Sequence, residues 1–203
     1  TWLELKNLKA KWIPSALLNR RFNVEKLLVE KIDFKRAPIT EEIPSEERSQ
    51  SPSLPSLPVD IEISDFRVSE ISIGESLADI ASEFSLDGAL KLTKADGIIT
   101  KLDLINTNGW DDSVKIDVSY PHDASNLNID ILLRAPGNGF FSSLAGLKTD
   151  KNLVVALSGQ GPIENWSGDF NTSLGDEKIS QAMITRRKEK FSVTSKTYIE
   201  NLL

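Results

Sequence analysis

His122 is the only histidine in the chain, and an imidazole is the side chain best suited to general acid–base work near neutral pH. It stands in Pro121-His122-Asp123, a turn-forming stretch, where it reads as a solvated turn residue. Asp111-Asp112 follows Trp110 just after an Asn108-Gly109 turn signal. Calcium takes several convergent oxygens, and one adjacent pair does not supply them. Asp60, Glu62 and Asp65 sit within an alternating pattern and read as a solvated sheet face. Arg186, Arg187, Lys188 and Lys190 form a basic run that Glu189 interrupts, as a hairpin turn would. A Gly-rich phosphate loop, a nucleophile elbow and a metal-ligand spacing are all missing from the sequence. The expectation is therefore no catalytic, cofactor-binding or metal-ligating residue, and a protein that is not an enzyme.

Composition narrows the classes further. The chain has 203 residues, 24 Lys and Arg against 30 Asp and Glu, a net charge of −6, and no cysteine. An acidic chain is a poor partner for nucleic acid, whose affinity rests on cations neutralising phosphates. Without cysteine there is no disulfide and no thiolate metal site. No run approaches the roughly 20 apolar residues of a membrane-spanning helix, and no signal peptide is visible. The chain starts at Thr1, so a segment of a longer protein is expected.

The elements that would position any site are mostly strands. Residues 37–58 hold five of the nine prolines together with many Ser and Glu. Proline locks φ and offers no ladder donor, so this stretch reads as a loop or linker. It separates an N-terminal β unit, 1–36, from an antiparallel meander, 59–203. Beyond it the period is two. Leu90 and Leu92, Leu102 and Leu104, then Val114, Ile116 and Val118 alternate with polar residues. The same holds for Leu127, Ile129 and Ile131, for Val155 and Leu157, and around Phe170. Turn signals lie at Asp96-Gly97, Asn108-Gly109 and 121–125. Further strands are expected over 179–185 and 191–196. Short helices or plugging loops are expected at Pro14–Leu18, Glu75–Ala81 and Gly139–Leu147, each needing packing to hold it.

Three segments carry a different rhythm. Apolar residues step by 2, 3, 2, 2 from Leu3 to Trp12, by 2, 3, 2, 3, 2 from Phe22 to Phe34, and by 2, 2, 3, 2, 3, 2 from Val59 to Ile73. A step of three turns a regular strand's apolar set to its other face. A bulge or sharp corner restores it, so bent strands, or strand pairs joined at corners, are expected here.

These segments also carry a family likeness. The stretch from Trp2 to Pro38, with its Trp12-Ile13-Pro14 step, Leu17-Leu18 and Arg36-Ala37-Pro38, resembles a unit of the TamB/AsmA-like family, the inner-membrane component of the translocation and assembly module. Leu57–Gly74 with the following FSLDGALKL, and Gly159–Phe170 with its Gly-Pro-x-x-x-Trp corner, are similar to further parts of that family. The likeness touches most of the chain, and the 37–58 insert departs from it. It implies the N-terminal portion of a scaffold in the Gram-negative periplasm, anchored in the inner membrane through the parent chain. The implied fold is mainly β, an elongated, twisted antiparallel sheet curled into an open half-pipe with a few short helices. The implied cargo is phospholipid or unfolded outer-membrane protein strands, with an outer-membrane barrel as partner.

Under that reading the apolar alternation becomes a groove wall. Its candidate residues are Leu90, Leu102, Leu104, Val114, Ile116, Val118, Leu127, Ile129, Ile131, Val155, Leu157 and Phe170. Moving an acyl chain through water costs roughly 0.8 kcal/mol per methylene, and such a wall offsets that without chemistry. The competing expectation is a β-sandwich binding or adhesion module, in which the same residues form a closed core.

Overall fold

A computed structural model describes residues 2–35, 59–75, 77, 80–94, 97–120, 126–188 and 190–198. The expected 37–58 linker, His122 with its turn, Asp96 and most of the middle of the expected Glu75–Ala81 helix lie outside the described residues.

Eleven strands lie side by side in chain order in one sheet that does not close into a barrel. They are β1 (Leu3–Trp12), β2 (Arg21–Phe34), β3 (Asp60–Ile73), β4 (Ser82–Thr93), β5 (Gly97–Asn106) and β6 (Ser113–Tyr120). The series continues with β7 (Leu127–Ala135), β8 (Leu153–Gly161), β9 (Ser167–Leu174), β10 (Glu177–Arg187) and β11 (Lys190–Thr197). Nine of the ten neighbouring pairs are antiparallel; β2 and β3 are parallel. The sheet is thus mixed rather than wholly antiparallel. A parallel pair needs a crossover of a dozen or more residues, and the chain between Phe34 and Asp60 is long enough to supply one. The N-terminal unit and the meander are joined through this pair into one continuous sheet.

The register explains the irregular rhythm. Val24 pairs with Ile63, Leu27 with Phe66, Val29 with Val68 and Ile32 with Ile71, so β2 and β3 take their steps of three at the same levels. Each segment is one bent strand of 14 residues. Strand β4 keeps the regular step, and its pairing with β3 shifts between Ile63 and Phe66 and again between Val68 and Ile71. In β1 the step from Leu5 to Leu8 is taken at Asn7, whose φ of 49° is left-handed. Asn tolerates that region better than most residues, and its amide donates to Glu30 Oε2 at 2.6 Å. Bulges bend a strand, and these keep one face apolar along an open, curled sheet.

Two helical expectations fall on described residues. Pro14–Asn19 is a 3-10 helix, entered through Pro14 and closed by Arg20 at a left-handed φ of 56°. The Gly139–Leu147 stretch contains α1 (Phe140–Leu144), which folds back against the sheet. Phe140 and Phe84 pack edge-on with ring centroids 5.2 Å apart, and Phe141 lies 5.6 Å from Phe84. Phe141 and Leu147 also pack on a cluster formed by Ala135, Leu153 and Leu174. Asp112, fully buried, holds this helix: its two carboxylate oxygens accept from the Phe140 amide at 3.1 Å and the Phe141 amide at 3.0 Å. The Ser142 hydroxyl donates to the Pro136 carbonyl at 2.8 Å.

The opposite face is polar and laced by cross-strand ion pairs. Lys101 meets Asp117 at 3.0 Å, Lys115 meets Asp103 at 3.4 Å and Lys26 meets Asp65 at 3.3 Å. All are well exposed, so they contribute solubility and register more than stability.

Candidate functional site

Residues paired across antiparallel neighbours share a face, so the register sorts the apolar side chains into rows that run across the strands. One row reads Leu86, Leu104, Val114, Leu133, Val155 and Thr172 from β4 to β9. The next reads Gly88, Leu102, Ile116, Ile131, Leu157 and Phe170, and the one beyond it Leu90, Thr100, Val118, Ile129, Gly159 and Gly168. Leu127 lies one step further, opposite Gly161. All twelve residues singled out from the alternation are therefore on one face, spread over four adjacent rows. Each of the twelve is half-buried: none is sealed, and none is fully in solvent. The bent strands extend the rows, Leu8–Val29–Val68 joining the first and Ala10–Leu27–Phe66 the second.

Two features bound this face. At one end of the strands the α1 segment lies over Phe84 and over the Ala135–Leu153–Leu174 row. Towards the other end Trp166, only 6% exposed, lies across β8 and β9. Its indole Nε1 donates to the Leu127 carbonyl at 3.0 Å. Beneath it are Gly159 and Gly168, paired with each other. A Cβ on Gly159 would come within 2.2 Å of the Trp166 ring, and one on Gly168 within 2.4 Å. Bare backbone is what lets the indole sit flat there.

The expected wall left out Leu133, which belongs to the same alternation, and Thr100, and it missed the part played by Trp166. The signal for Trp166 was present: two glycines stand where the alternation calls for bulk, which marks a covered spot. Asp112, read as half of a turn pair too small for a calcium site, is the buried clamp of α1. In the basic run, the Arg186 guanidinium stacks 5.4 Å from the Phe191 ring and its Nε donates to the Lys188 carbonyl at 2.8 Å.

The perturbed titratable groups lie on the β1–β4 side. Glu70 is held below its ordinary value by hydrogen bonds from Lys31 and then from Ser72. Glu4 is lowered by its hydrogen bond from Lys35 and by that residue's charge. These are surface ion pairs, not an acid–base pair in a cleft. Among the described residues no three His, Cys, Asp or Glu side chains converge to hold a metal, and no helix is long and apolar enough to cross a membrane. Comparison with protein-family models, curated proteins and solved structures finds no match to this chain.

Proposed function

We propose that this chain is part of a scaffold whose apolar face serves as a groove for the acyl chains of phospholipids, carrying them through water between inner and outer membranes. The observation that supports this reading is the set of continuous apolar rows across a sheet with no second sheet laid on it among the described residues. A closed core would seal these side chains, yet the twelve central ones are only half-buried. An acyl chain of about 15 methylenes costs about 12 kcal/mol to carry through water, and packing it along these rows offsets most of that. No step of that process needs a nucleophile, a metal or bound fuel. The likeness of the Trp2–Pro38, Leu57–Gly74 and Gly159–Phe170 segments to the TamB/AsmA-like family points the same way and suggests the periplasm, with an inner-membrane anchor and an outer-membrane barrel partner outside this chain.

A second cargo, unfolded outer-membrane protein strands, draws on a different feature. Among the described residues, strands β1 and β11 each pair with one neighbour, and an unpaired strand edge can receive another strand. The β-sandwich alternative has no second sheet among the described residues to close its core.

The test is site-specific photo-crosslinking in the full-length protein in cells, with the probe at Ile129 or Ile116 and with Asn128 and Lys115 as opposite-face controls. Phospholipid adducts at the two apolar positions alone are expected. Adducts only within the chain would contradict the groove.

A further inference from the structure

The covers on the apolar face leave a strip of defined width, and the strip changes character along the sheet. On β8, α1 lies over Leu153 while Trp166 lies over Gly159, so Val155 and Leu157, both half-buried, lie between them. Alternate residues of a strand are about 6.6 Å apart, which makes the strip two side-chain rows wide. From β5 to β8 those rows are wholly aliphatic: Leu104, Val114, Leu133 and Val155 beside Leu102, Ile116, Ile131 and Leu157. On β9 they become Thr172 and Phe170. On β10 and β11 they become Ser180 and Ala182, then Thr197 and Ser195. The same face of β10 also carries Arg186, one row beyond Ile184. Within the strip an aliphatic floor thus gives way to Ser and Thr hydroxyls within two strand spacings of about 4.8 Å, and Arg186 lies two rows to the side, past Ile184 and Val193.

The occupant must match that polarity. Strands β5 to β9 are paired on both sides, so their backbone groups are already satisfied. A polypeptide laid on this strip would bury its own N–H and C=O groups with no partner, at a cost for each. Hydrocarbon carries no such groups. We propose, building on the groove reading above, that this strip seats one phospholipid in a fixed orientation. Its tails lie over β5–β9 between α1 and Trp166, and its headgroup lies over the hydroxyl-lined face of β10 and β11, on the side towards Arg186. Leu157 stands in the floor between Ile131 and Phe170, so a larger side chain there would block the strip.

The test uses the full chain and two photoactivatable phosphatidylglycerols in vesicles, one with a diazirine in the acyl chain and one with it in the headgroup. Adducts are mapped by peptide mass spectrometry. The tail probe is expected to label β6–β9, chiefly around Ile131 and Phe170, and the head probe β10–β11. Leu157→Trp, which fills the strip, should cut tail labelling near Phe170 by an order of magnitude and leave labelling near Ile116 unchanged. Leu157→Phe should give a smaller cut, and Ser158→Trp on the polar face none. Equal spread of both probes, their reversal, or full labelling near Phe170 in Leu157→Trp would overturn the oriented seat while leaving a groove in place. Absence of tail labelling at Ile116 and Ile131 alike would overturn the groove itself. A denatured barrel-strand peptide crosslinking at Phe170 in place of lipid would also overturn the proposal.

Discussion

Asp112 does at the residue level what the sheet cannot do for itself: it fixes a five-residue helix that has too few internal bonds to be stable alone. Its carboxylate accepts two amide hydrogens out of contact with water. Hydrogen bonds to a charged group contribute about 1.5–3 kcal/mol each, and an orphaned buried amide adds a penalty. Asp112→Ala, which loses both, is therefore expected to destabilise the protein by about 3–6 kcal/mol in urea unfolding, and Asp112→Asn, which keeps one acceptor, by about half of that. Equal stability of the alanine variant would remove Asp112 from this role. The sequence offered Asp112 only as half of a turn pair. Its burial depends on where Phe140 and Phe141 return to the sheet, 28 and 29 residues later, and no local pattern encodes that return. The shared face of the twelve singled-out residues was legible because period two fixes a face locally. Their half-exposure was not, because it depends on what lies above them.

At the level of elements, the three bent strands were the most legible irregularity. A step of three in an apolar pattern calls for a bulge or a corner, and the structure takes the bulge, at matching levels in β2 and β3. The parallel direction of that pair was not legible, since alternation reads the same along either sense of a strand and only the crossover decides. Ion pairs tie these strands together: Lys31 to Glu70 between β2 and β3, and Lys35 to Glu4 beside the β1–β2 pair. Both carboxyls are depressed below 4.5. Their contribution is fully present above pH 4.5 and is lost as pH falls through their lower folded values. Lys31 and Lys35 are raised above 10.5, so their side of the pairs is intact below that pH and is lost as pH rises through the raised values. Being exposed, the pairs contribute little each, and the effect is local. Acid is expected to loosen the β1–β3 edge before the meander. The readout is the fluorescence of Trp2, whose ring lies 6.4 Å from that of Phe34. Glu4→Gln with Glu70→Gln should flatten that acid transition; an unchanged transition in the double variant would assign it elsewhere.

For the whole molecule, the governing fact is a sheet that is apolar on one side and ion-paired on the other, with no second layer among the described residues beyond a short helix and an indole. An antiparallel meander with one wet face is a common solution, but the other face then needs an occupant or a cover. Small covers at the margins and bare rows between them are what distinguish a groove from an unfinished core. That distinction is measurable because the chain has no cysteine of its own. Single cysteines at Ile116, Ile129 and Ile131 would be labelled with maleimide in the native protein, with Asn128 as the exposed reference and Phe84 as the buried one. The account predicts labelling at the three groove positions under native conditions, lowered when phospholipid is bound, and none at Phe84 until the protein unfolds. Protection of all three equal to that of Phe84, without lipid, would mean a closed core and would contradict the groove.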